Sequence, residues 1–253
     1  MGDKKPDIVA GNDLPDFNPD EEYLQELKSP IYYAVQKDID IRTGGPTLID
    51  FDMQRISQRI NIILNIRTEG DIKKEDLLPP IIELSGACGH FNISEACLDT
   101  TRLYRMVHQA QPDEFTQTGE NTYRCVVHFH TLGVIPSAAK GHLNGPGILQ
   151  VALQVSANRL DASGAPVLDQ DGKPVKNSRY IYGAINPYDE LTAAQLIEVR
   201  DGKTYLRYSK DDVNIEITSP LVIKADQIVS DDTGMGWQPN DPTNPDDDII
   251  IEI

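Results

Sequence analysis

Two hydrophobic periods divide the chain. In TLIDFDMQRISQRINIILNIRTEGD, residues 47–71, Ile49, Met53, Ile56, Ile60 and Ile63 recur at steps of four, three, four and three. That spacing lines up one face of a helix. Thr47 and Asp50 have capping-box spacing, and Gly70 is a natural stop. A second helix is predicted from Asn92 or Ser94 to Ala110, with Ala96, Leu103, Val107 and Ala110 on one face and Asn92 with Glu95 as its capping box. Between them LLPPIIELSGACGHF reads as a connection punctuated by Pro and Gly.

From about Thr122 the period becomes two. TYRCVVHFHTLGV, GILQVALQVSANRL, SRYIYGAI, AQLIEV, KTYLRYS and DVNIEI all read as strands. Turn residues at Asp161-Ala162-Ser163-Gly164, Asp171-Gly172 and Asp201-Gly202 separate several of them. On the strand Tyr123–Val134, Tyr123, Cys125, Val127 and Phe129 share an apolar face, and Val126, His128, His130 and Leu132 share the other.

The ends lack such periods. Residues 1–47 carry Pro6, Pro15, Pro19, Pro30 and a Gly44-Gly45-Pro46 break, with one short helix predicted at Asp20–Lys28. Such an arm orders only against something else, most economically a neighbouring subunit. Residues 231–253 form an acidic tail ending in Ile249, Ile250, Ile251 and Ile253, a strand that either adds to another subunit's sheet edge or stays local. The prediction is therefore an α+β subunit in four parts: an N-terminal extended arm (1–47), a portion with two helices (48–110), an antiparallel β-rich domain (111–230) and the tail (231–253). The β-rich domain would be a sandwich, barrel or prism.

Composition adjusts this picture in few places. Hydrophobic residues make up 39% and charged ones 25%, ordinary values for a globular protein. No apolar run is long enough for a bilayer span, the N-terminus does not read as a signal peptide, and three cysteines suggest no disulfide framework, so synthesis in a reducing cytoplasm is expected. The net charge of −17 is concentrated at the ends, −6 in residues 1–40 and −8 in residues 226–253. This argues against direct nucleic-acid binding, which needs basic surface.

The candidate chemistry centres on His128 and His130. Two histidines on one strand face suit a metal, but cupin, amidohydrolase and polymerase-type phosphoesterase sites need further histidines downstream. The chain has five in all, the last being His142. No nucleophile elbow, P-loop or Rossmann fingerprint is present. Cys88 lacks a recognisable partner set, and NDPTNPDDD lacks EF-hand spacing. The expectation is a chain that is not an enzyme and needs no cofactor.

In DGKTYLRYSKDDVNIEITSPLVIKADQIVSDD, Asp201–Asp232, Val213, Ile215 and Ile217 alternate, and Leu221, Ile223, Ala225 and Ile228 follow Ser219-Pro220. Two short strands with a tight reversal resemble the repeats of central spike and baseplate proteins from contractile phage tails. The run MQRISQRINIILNIRTEGD is similar to the helix that opens small baseplate wedge proteins. The resemblance implies a structural subunit of a virion or tail-like particle, preferentially tail or baseplate. It would be made in the host cytoplasm and contact copies of itself and other structural proteins. Some such spikes hold iron on a threefold axis with a His-x-His pair near the C-terminal tip. That implies His128 and His130 as axial ligands, although here about half the chain follows them. A capsid or capsid-decoration protein stands as an alternative. So does a β-sandwich module that binds carbohydrate or protein through Trp237, Tyr180, Tyr182, Tyr188, Tyr205 or Tyr208. A metal-dependent enzyme using His128, His130 and a distant carboxylate is the third class.

Overall fold

The computed structural model describes residues 23–224, apart from residues 42, 71, 160 and 208–211. Its strands are β1 (Tyr32–Tyr33), β2 (Gln54–Arg55), β3 (Gln58–Glu69), β4 (Ile81–Asn92), β5 (Cys97–Gln109), β6 (Phe115–Gly119), β7 (Thr122–Thr131), β8 (Leu149–Asn158), β9 (Lys176–Ile185), β10 (Ile197–Arg200), β11 (Lys203–Leu206) and β12 (Asp212–Lys224). A seven-residue helix, α1 (Tyr188–Ala194), stands between β9 and β10. One sheet has six strands in the order β10-β11-β5-β4-β8-β9 and a second has four, β12-β3-β7-β6. All pairings in both are antiparallel except β12 on β3, which is parallel.

The two helices expected within 48–110 are strands, so the α+β prediction gives way to a β-sandwich. In β3 the period-two set Ile60, Ile62, Leu64 and Ile66 is buried, while Arg59, Asn61, Asn65 and Arg67 lie outward. The helical stripe used only Ile60 of these residues and left Ile62 and Ile66 on its far side. Isoleucine is stiff at χ1 and fits a pleated surface, which favours the strand once a partner sheet is present. In β5 the inward set is Leu98, Tyr104 and Met106 rather than Leu103 and Val107. Asn92 and Glu95 do make the capping interaction that their spacing predicts, but in a hairpin turn. Asn92 Oδ1 accepts the Glu95 N–H (3.2 Å) and the Ser94 hydroxyl (2.8 Å) between β4 and β5. The connection 77–91 contains all but the last residue of β4, the strand beside β5 and β8. Residues 23–28, part of the helix expected at Asp20–Lys28, are not helical.

The run Asp212–Lys224 also differs from expectation. It is a single strand along β3, with a register irregularity between Ile217 and Leu221 where two strands and a tight reversal were predicted. The turn-bounded strands from Thr122 to Leu206 lie where the sequence places them.

The sheets pack face to face. Ile62 and Leu64 of β3, Val127 and Phe129 of β7 and Ile215 of β12 share one core with Leu84 of β4, Met106 of β5 and Leu153 of β8, and Leu191 of α1 closes one end. No boundary falls at residue 110. β3 pairs with β7 and β12, and β4 pairs with β8, so residues on both sides of it build each sheet.

Chain beyond β7 moves from one sheet to the other. Ile135 N–H donates to Gly86 O (2.9 Å) and Cys88 N–H to Gly133 O (2.9 Å), filling the β4 edge that β8 leaves at Leu84. Gly86 lies at φ +83°, and a Cβ there would come within 2.6 Å of Gly147 N and 2.7 Å of Ile135 O. Only glycine meets both demands.

Candidate functional site

Residues 23–33 form a strap between the two sheets. Leu24 N–H donates to Arg105 O (2.7 Å) on β5, and Leu27 N–H donates to His130 O (2.9 Å) on β7. The strap then reaches the short link between β2 and β3, where Ile56 N–H donates to Ile31 O (2.8 Å). Leu27 and Tyr33 cover a satellite apolar cluster of Ile56, Cys88, Leu98, Leu132 and Leu206.

His130 is the clasp of this strap. Its backbone N–H donates to Glu26 Oε1 (3.1 Å), its Nδ1 lies 2.8 Å from Leu27 O, and its Nε2 lies 3.0 Å from Ser57 Oγ. A carbonyl only accepts, so Nδ1 carries the proton in the neutral ring and Nε2 accepts the Ser57 hydroxyl. Ser57 Oγ in turn accepts the Ile31 N–H (3.0 Å). Both ring nitrogens therefore bond within the chain.

His128 occupies the same outward face in a different network. Its Nδ1 is 2.7 Å from Asn61 Oδ1, and Asn61 Nδ2 donates to Asn214 Oδ1 (2.7 Å). These residues stand opposite one another on β7, β3 and β12, so the bonds form a polar ladder across three strands. Burial and the Arg59 guanidinium hold the His128 pKa below its ordinary value. Nearby, His108 Nε2 pairs with Glu114 Oε2 at 2.9 Å. Among the described residues no group of three or more His, Cys, Asp or Glu side chains is arranged to hold a metal ion. Using His130 as an axial ligand would require breaking the strap's bonds.

A second anchor escaped the sequence reading. Tyr23 is buried on the outer face of the six-stranded sheet, where its hydroxyl donates to Glu83 Oε2 (2.9 Å) and Arg105 Nη1 pairs with Glu83 Oε1. The Glu83 side chain is 1% exposed. Burial pushes its carboxyl up to about 7, against the Tyr23 hydrogen bond, which lowers it. Glu83 lies at a period-two position in IIELS, inside the stretch read as a link. Recognising β4 would have flagged an outward acid.

The other candidate chemistry is inert or scattered. Cys88 and Cys125 are fully buried, and burial pushes both thiols up to about 12. Tyr180 and Tyr182 stack on each other (6.2 Å) on the side of the six-stranded sheet that holds Tyr23 and Ala152. Tyr205 lies under the Arg200 guanidinium (4.4 Å) on the hairpin β10–β11. Tyr208, Trp237 and the expected interface residues Ile249, Ile250, Ile251 and Ile253 lie outside the described residues.

What stands out is the excursion 34–53 between β1 and β2. Nine of the thirteen exposed large apolar side chains among the described residues fall between Ile31 and Met53, with Leu48 88% and Ile41 77% exposed. Isolated apolar side chains at a surface are common, whereas this many within one short segment is unusual.

No protein-family model matches the chain, and no curated protein does. Among solved structures it is similar to a proposed adhesin from Bacteroides ovatus, at 8% identity and a TM-score of 0.39. The alignment takes in 80% of this chain, which spans 59% of that one. A likeness this distant bears on neither fold nor role.

Proposed function

We propose that the chain is a structural subunit of a multi-chain assembly and that residues 31–53 form its contact arm. A virion or tail-like particle is the setting implied by the sequence resemblance. The long strand β12 in place of a reversing repeat removes the ground for preferring tail or baseplate over capsid. The observation that supports the assembly reading is the apolar concentration between Ile31 and Met53, left in solvent beside a well-filled core.

The test is the solution mass of the full chain beside a variant in which an Asn-Gly turn replaces residues 34–53. Tyr33 and Gln54 are already ladder partners, so a two-residue turn closes the gap without disturbing the root. The full chain is expected to self-associate at micromolar concentration. The shortened chain should be a monomer that melts at nearly the same temperature. A full chain that stays monomeric would overturn the reading for self-assembly.

A further inference from the structure

The excursion 34–53 has a pattern that its own root cannot use. Each limb alternates like a strand, Asp38-Ile39-Asp40-Ile41 on the way out and Ile49-Asp50-Phe51-Asp52-Met53 on the way back. The root pairs Tyr32 with Arg55 and Tyr33 with Gln54. A hairpin grown in that register sets Val35 opposite Asp52, Asp38 opposite Ile49 and Gln36 opposite Phe51. Opposite residues share a face, so both faces would mix apolar and acidic side chains. A shift of one residue would separate them, but the root fixes the register. The ladder accordingly ends at Tyr33–Gln54, and no strand among the described residues includes 34–53.

An alternating segment without a ladder is completed by the edge of another sheet. β9 offers such an edge. It ends the six-stranded sheet, runs for ten residues and has no strand on its far side among the described residues. Ile181 is only partly buried against the core, so the inner layer thins there. β9 itself holds Lys176, which pairs with Asp76, and Arg179, and no acid, the opposite balance to the limb.

We propose that residues 49–53 of one copy add as a strand to the β9 edge of a second copy. Ile49, Phe51 and Met53 would extend the inner layer at Ile181, with Asp50 and Asp52 on the side of Tyr180 and Tyr182. This deepens the assembly reading and rests on it.

The test mixes two variants of the full chain, one carrying Asp50→Cys and the other carrying Ser178→Cys, Tyr180→Cys or Tyr182→Cys in turn. The described native cysteines are buried and do not interfere. One of the three mixtures is expected to give an intermolecular disulfide. A control mixture with Val199→Cys, on the opposite edge strand β10, should give none. Phe51→Asp added to the first chain should weaken association at least tenfold without changing the melting temperature. If the chain associates through its arm but no β9 position cross-links, or Val199→Cys does, this docking is overturned and the assembly reading stands. A chain that never associates overturns both.

Discussion

At the residue scale, the histidine pair divides into two structural roles that one spacing could not distinguish. His130→Ala removes the bonds to Leu27 O and Ser57 Oγ and leaves both without their partner. It should cost roughly 1–3 kcal/mol, and amide exchange should accelerate at Leu27 and Ile31 before the sheets respond. Glu83 makes a prediction in pH. Its folded pKa is raised, so the folded chain binds the proton more tightly than the unfolded one. The stability this contributes is present below the unfolded value near 4.5 and is lost as pH rises through about 7. Glu83→Gln mimics the protonated acid. It should flatten that dependence, measured as the urea midpoint at pH 4.5 and pH 8, with a difference of about 1–3 kcal/mol between the two proteins.

At the element scale, the decisive contest is between periods. The run 47–71 satisfies a helical stripe with five residues and a strand with four. What overrules it is the partnership of β3 with β7 on one edge and β12 on the other, neighbours that lie about 60 and 150 residues away. The β4 edge depends on one residue. Gly86→Ala forces a Cβ against two backbone atoms at a positive φ, which should destabilise the fold by roughly 2–4 kcal/mol. Thermal melting checks this. An alanine protein as stable as the parent would show that the crossing at Gly147 and Ile135 is looser than the structure has it.

At the scale of the whole molecule, the sheets draw strands from both halves of the chain. Unfolding should therefore be one cooperative transition, and residues 111–230 alone should not fold. Calorimetry of the full chain with two separate transitions would contradict this. The strap gives the sandwich a side that opens more cheaply than its sheets. It is held by a few backbone bonds and by side-chain anchors that include Tyr23 on Glu83, Glu26 on the His130 N–H, the His130 ring on Leu27 O and Ser57 on the Ile31 N–H.

The sequence by itself determined the C-terminal strands and several of their turns. There alternation and turn chemistry are local, and each short strand declares its own faces. It also determined that Cys125 points to the core and that His128 and His130 share the other face. Only the tertiary structure decided that the two stretches with helical spacing fold as β3 and β5, because long-range pairing alone selects one period. The structure likewise made a clasp of His130. Its partners Leu27 and Ser57 lie 103 and 73 residues earlier in the chain, and no spacing rule spans such distances.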